Sequence, residues 1–200
     1  MKKEFIDILK NRRSLYALSK ESTISDDEIV DLVKDALLHT PSAFNSQSGR
    51  AVVLFGKEHD VLWDIVTEEL RKLVPADRFS PTLEKMKMFK TSHGTILFFE
   101  DQDVIKDLQT RFPKYKDVFP VWSYEGAGML NFTIWTALAE KGLGASLQHY
   151  NPIIDEAVAK HFRLPLSWKL IAQMPFGVPV AKPEAKTFLP VEGRIKVFGK

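Results

Sequence analysis

The chain has no cysteine, which removes a disulfide framework, thiolate chemistry and cysteine-ligated zinc together and fits a reducing compartment. It has no excess of one charge either: 28 basic residues face 26 acidic ones, for a formal net charge of +2. No block reaches the roughly five or six like charges of an interaction tail, so nucleic acid is not an expected partner. Long apolar runs are missing too. The longest, Gly126 to Ala139, is interrupted by Asn131 and flanked by Glu125 and Glu140, whereas a membrane span needs about 20 mostly apolar residues. Lys2, Lys3, Glu4 and Asp7 occupy the place where a signal peptide would have its apolar core. A soluble, cytoplasmic protein with no membrane partner is therefore the expectation.

Several catalytic signatures are absent. There is no G-x-S-x-G elbow, no phosphate loop ending in Gly-Lys-Ser/Thr, no G-x-G-x-x-G behind a strand and no H-E-x-x-H. Gly142-Leu143-Gly144 reads as a helix stop. His39, His59, His93, His149 and His161 include no i,i+4 pair, so no metal site is expected.

Present instead is an ordinary globular balance, 44% hydrophobic and 27% charged over 200 residues, read as one domain spanning 1–200. Phe5, Ile8 and Leu9 share one helical face. Ser25-Asp26-Asp27-Glu28 has the form of a capping box, and Ile29, Leu32, Val33, Ala36 and Leu37 continue a helix that ends before Pro41. Ala51–Phe55, Thr95–Phe99 and Leu170–Phe176 read as strands, with a short one over Ser146–Tyr150. Helical patterns run over Val61–Val74, Leu83–Phe89, Gln102–Phe112 and Trp122–Gly142. The last is apolar on nearly every face, as in a helix surrounded by protein. Pro152 suits the first turn of a helix through Phe162. From Lys182 to Lys200 the chain has few anchors until Leu189 and a strand-like Arg194–Phe198. A partner subunit is a natural place for such a tail to dock. Helices and strands interleave without strict alternation, so the fold class is mixed α+β.

Three polar groups suit a phosphate and a planar heterocycle. Arg12-Arg13-Ser14 supplies guanidinium forks and a hydroxyl, which match phosphate oxygens; in isolation the triplet is also a plain solvated corner. Asn45 and Gln47 carry amides that donate and accept, and they are equally ordinary turn residues. Arg194 and Lys196 form a second cationic pair, or a protected strand edge. Phe44, Phe89 and Trp122 are either core aromatics or lids over a site.

The order of these pieces resembles the FMN-dependent nitroreductase family. Phe44-Asn45-Ser46-Gln47-Ser48, Gln148-His149-Tyr150-Asn151 and Lys186-Thr187-Phe188-Leu189-Pro190 are similar to its short, fatty-acid-repression-mutant-like subgroup, over essentially the whole chain. The resemblance implies a mostly antiparallel sheet flanked by helices, with a C-terminal strand or tail docked on the partner of a homodimer. It implies FMN as cofactor, held at phosphate and ring edge by Arg12, Arg13 and Ser14 and at the phosphate by Arg194. The partner's loop, Pro41, Ser42, Asn45 and Gln47, would cover the flavin, and Gln148, His149 and Tyr150 would present backbone to its N5 side. The family commonly carries a lysine or arginine two residues after the serine. Tyr16 stands there, leaving Arg13 or Lys87 as the cation for the reduced ring. The implied activity is hydride transfer from NADH or NADPH through FMN to a nitroaromatic or quinone, the chemistry residing in the flavin rather than in a catalytic side chain. Two alternatives stay open: a flavin-binding or regulatory protein with little turnover, and a dimeric module for another phosphate-bearing ligand.

Overall fold

A computed structural model describes residues 4–200. In chain order the elements are α1 (Phe5–Asn11), β1 (Leu18–Ser19), α2 (Asp26–His39), β2 (Gly49–Phe55), α3 (Gly56–Arg71), α4 (Ser80–Lys90), β3 (Gly94–Asp101), α5 (Gln102–Arg111), α6 (Phe119–Glu140), β4 (Gly144–Ala145), α7 (Asp155–Phe162) and β5 (Trp168–Pro179). The sheet runs β1-β5-β3-β2, with β4 also paired to β5, and every one of these pairings is antiparallel.

β3 explains the layering. Its apolar residues are consecutive and nearly all buried, so both faces must be covered. Ile96 and Phe98 point to one side and pack with Ile29, Val33, Ile134 and Leu138 of α2 and α6. Leu97 and Phe99 point to the other and meet Leu62, Trp63, Phe89 and Val158 of α3, α4 and α7. The period of two along a strand thus feeds two cores from one run. Each fully buried side chain of this size contributes about 1.5–3 kcal/mol.

Local signals set the helix ends. Ser25 accepts from the Glu28 backbone N–H while the Glu28 carboxylate accepts from the Ser25 N–H, closing the capping box. These bonds hold the Glu28 carboxyl below its ordinary range. α6 stops at Gly142, whose φ of +84° is left-handed. The Leu143 N–H then reaches back to the Leu138 carbonyl at 3.0 Å, the six-to-one bond of a glycine-terminated helix.

Several expectations are corrected. α3 begins at Gly56, because its φ of +52° turns the chain directly from strand into helix. Ser146–Tyr150 is not a strand; Gln148 alone bridges to Gln173. Pro152 lies in the turn ahead of α7, which starts at Asp155. Arg194–Phe198 forms no strand, since no sheet edge of its own subunit pairs with it. α6 is apolar all round, yet Val121, Tyr124, Met129 and Phe132 are exposed, and a side chain at Gly126 or Gly128 would meet nothing within 4 Å. No helix among the described residues is long and apolar enough to cross a membrane.

Candidate active site

Arg12 ends α1, and the chain continues extended, Ser14 bridging Ala145 of β4 and the Leu15 N–H donating to the Ala145 carbonyl at 3.0 Å. This approach needs Gly144: a Cβ there would lie 2.8–3.0 Å from Leu18, Pro179 and Leu15. The Arg12 guanidinium lies 4.3 Å from the centre of the Trp135 ring, and its buried Nε has no hydrogen-bond partner among the described residues. Burial, and then the neighbouring charge of Arg13, pull the Arg12 pKa below its ordinary value. Arg13 Nη2 donates to the Glu184 carbonyl at 2.9 Å, and Ser14 is exposed. Between Arg13–Ala17 and Ala181–Glu184 opens a cleft of about 320 Å³.

An aromatic wall stands close by. The Tyr150 N–H donates to Gln173 Oε1 at 2.8 Å, while Gln148 and Gln173 exchange backbone bonds of 2.7 and 2.9 Å. Trp63 stacks on Phe89 at 4.5 Å and meets the Tyr150 ring edge-on at 5.9 Å. Burial, with Tyr16 adding to it, pushes the Tyr150 phenol up to about 12, so it keeps its proton as a donor. Gln148 is buried, its amide donating to Ser146 Oγ at 3.1 Å, and His149 is exposed. Lys85 Nζ lies 6.0 Å from the Tyr150 ring centre and 5.7 Å from that of Phe89. Lys87 is exposed and paired with Glu84 at 2.8 Å. The face of α4 turned towards this wall therefore carries Lys85. The four-residue spacing from Lys85 to Phe89 was the available signal.

The loop before β2 forms a second group. Ser42 Oγ accepts from the Gln47 N–H at 2.9 Å. Phe44, Asn45 and Gln47 take left-handed φ values of 56°, 50° and 49°, a conformation that costs a non-glycine residue about 1–2 kcal/mol. Polar ties to the end of β3 hold the loop. The Asp101 N–H donates to the Ser48 carbonyl at 3.0 Å, and Ser48 Oγ donates to the Glu100 carboxyl at 2.6 Å. Arg50 donates to the Gln47 carbonyl at 2.6 Å and pairs with Asp101 at 3.0 Å. The Phe44 ring lies 4.9 Å from Phe112 and 5.4 Å from Phe119 and stacks on Trp122 at 6.2 Å, yet remains 53% exposed. Of the three candidate lid aromatics, Phe89 is core and Phe44 is the exposed one. Asn45 and Gln47 are also exposed, and Pro41 and Ser42 line a cavity beneath the loop.

Within one chain these groups stay apart: the cleft beside Arg13–Ala17 shares no residue with the cavity under the loop. Arg194 and Lys196 are exposed on the tail, and no hydrogen bond or ion pair among the described residues joins either side chain to Arg12. Sequence reasoning missed Lys85, and also Glu100, the charged end of an apolar strand.

The nitroreductase family profile matches residues 9–178. The nitroreductase FRM2 of Saccharomyces cerevisiae is 35% identical over 191 residues, covering 92% of this chain and 93% of its own. The nitroreductase CinD of Lactococcus lactis, solved with chloramphenicol and with 4-nitrophenol, superposes with TM-scores of 0.90 and 0.89 at 47% identity, over 98% of this chain and all of that one. A nitroreductase-fold protein from Exiguobacterium sibiricum, solved in complex with FMN, shares the fold at TM-score 0.72 and 16% identity, over 98% of both chains. With the antiparallel sheet between two helical layers and a family match over most of its length, the chain belongs to the nitroreductase family.

Proposed function

We propose that the protein is an FMN-dependent oxidoreductase acting as a homodimer, which takes hydride from NADH or NADPH and delivers two electrons to nitroaromatic or quinone acceptors. The observation that carries this reading is the division of the candidate residues into two half-sites on one chain. Arg13 and Ser14 line one cleft, and Ser42 and Gln47 line another; a second copy can bring one chain's loop to the other chain's cations.

The residues fit the cofactor. Two adjacent guanidiniums, one with a buried unpartnered Nε and a lowered pKa, suit a phosphate, which supplies the missing acceptors and charge. Flavin supplies hydride acceptance from a nicotinamide and two-electron delivery to a second substrate. The protein's part is to bind and orient. Ser14, Leu15 and Tyr16 line the cleft, and Tyr150 offers a phenol that stays protonated. Lys85, on the same wall, is the candidate cation for the ring edge in place of the residue that Tyr16 replaces; a fixed cation there offsets negative charge on a reduced ring. Asn45 and Gln47, on a loop already locked in its unusual backbone, would cover the ring from the partner, with Gln148 and His149 beneath it.

The dimer is supported by the exposed stripe Val121, Tyr124, Met129 and Phe132 on α6, by Phe5 and Ile6 on α1, and by the apolar tail. Among the described residues β2 pairs only with β3, leaving an edge on which a partner's tail can dock. The relatives' complexes with chloramphenicol and 4-nitrophenol support nitroaromatic acceptors, and the FMN complex of the fold neighbour supports the cofactor.

The test is anaerobic mixing of the purified yellow protein with NADH or NADPH. Bleaching of the flavin, followed by return of the colour on adding 4-nitrophenol or a quinone, is expected. Bound flavin that no nicotinamide bleaches would overturn the reductase and leave a flavin-binding protein.

A further inference from the structure

The cavity under the loop is built differently from the cleft at Arg13. It lies within a single chain, has a volume of about 210 Å³, and is walled by Leu37, Ile105, Leu108, Phe119, Trp122 and Leu130. Into this apolar shell the fold places one carboxyl. Glu100 is only 2% exposed, and Ser48, on Oε2, is its one hydrogen-bond donor among the described residues. Its other oxygen, Oε1, faces Gly49, whose missing side chain leaves space beside it: a Cβ there would lie 3.8 Å away. Thr40 Oγ1, on the same lining, is buried without a partner.

A buried polar atom without a partner is costly, and Thr40 Oγ1 is one; with no donor on Glu100 Oε1 among the described residues either, the cavity is a place that a ligand completes. The volume sets its size, since an apolar cavity of about 150 Å³ already accepts benzene. The walls call for a ring, and Oε1 calls for a hydrogen-bond donor. A charged amine would have to leave water for a mostly apolar shell, whereas a neutral hydroxyl avoids that desolvation. We propose that this cavity binds a neutral monocyclic phenol, with its hydroxyl donating to Glu100 and its ring held among Phe119, Trp122 and Leu130. Ser42, Ser46 and Gln47 also line the cavity, so an occupant touches the underside of the loop. Its lining lies on one chain, and although it shares the 41–48 loop with the proposed flavin half-site, phenol binding here involves no electron transfer and is tested apart from the reductase.

Calorimetric titration of the purified full-length protein with phenol and with toluene at pH 8, where the Glu100 carboxylate accepts, tests it. Phenol should bind with a dissociation constant below about 1 mM and toluene at least about tenfold more weakly, the worth of one hydrogen bond to a buried carboxyl. In E100L the two should bind alike. G126L should abolish both, because position 126 lines the cavity with open space at its Cβ. Equal affinity for phenol and toluene in the unaltered protein would overturn the proposal. So would undiminished phenol binding by folded G126L, or no phenol binding up to about 10 mM. The phenol–toluene comparison requires no variant to fold.

Discussion

The loop 41–48 and the tail 182–200 are both implied to reach the flavin, yet one chain treats them in opposite ways. The loop is finished before any partner arrives. Three left-handed residues are held by Ser42, by Ser48 on Glu100 and by Arg50 on Asp101. The tail has almost nothing to hold it. Arg13 donates to the Glu184 carbonyl, and beyond that point Phe188 and Phe198 stand 79% and 91% exposed. A segment that presents amides to a ring benefits from being rigid beforehand, because ordering it on binding would cost affinity. A segment that wraps another subunit gains its order from the apolar surface it buries there. Under the proposed function, the contrast separates a pre-built recognition element from an assembly element.

Removing residues 183–200 should have the largest effect. Without Arg194, Lys196 and the docking surface, the protein should sediment as a monomer and bind FMN about a hundredfold or more weakly, as expected for losing two contacts of about 1.5–3 kcal/mol each. The stability of the single-chain fold should barely change. A dimeric truncation that retains flavin would erase the distinction between the two segments.

On the loop side, Glu100 gives the next largest effect. Burial raises its pKa from 4.5 to about 7, against the opposing pull of Ser48 and Arg50. The folded state therefore keeps a proton that the unfolded chain has released, and stability falls as pH rises from about 4.5 to about 7. Glu100→Gln should flatten that slope and stabilise the protein at pH 8 by at most about 3 kcal/mol. Urea titrations at a series of pH values would reveal it, and an unchanged slope would mean that the loop does not bury this carboxyl.

Arg12→Ala should weaken FMN by about 1.5–3 kcal/mol, roughly ten- to a hundredfold, in a fluorescence titration of released flavin. Unchanged affinity would detach the first motif from the cofactor. The smallest effect is Arg50→Ala, which cuts the ties to Gln47 and Asp101 and should cost about 1–2 kcal/mol of stability. Dimerisation should persist, since the tail is untouched.

Much of the scaffold was legible because its causes are local. Ser25 and Glu28 cap α2 across three residues, Gly142 stops α6, and the apolar run Thr95–Phe99 announces a strand. Elements made by distant partners were not legible. β1 and β4 are two residues each and exist because Val178–Pro179 and Phe176–Gly177 of β5 pair with them. Phe44, Asn45 and Gln47 adopt glycine-like backbone without a glycine to signal it. In the site, the order of Arg12-Arg13-Ser14 and the 41–48 loop could be read from sequence. Choosing between Lys85 and Lys87 needed the phase of α4 against Tyr150. Glu100 reads as a strand-ending charge until Ser48 and α6 close over it.

Sedimentation velocity followed at both the protein and the visible flavin absorbance tests most directly whether two copies jointly hold one kind of cofactor between their half-sites. The colour should travel with a species of twice 22.8 kDa, and dilution into monomers should release it. Flavin that stays bound to a 22.8 kDa monomer, or a colourless dimer that takes up no added FMN, would contradict the account.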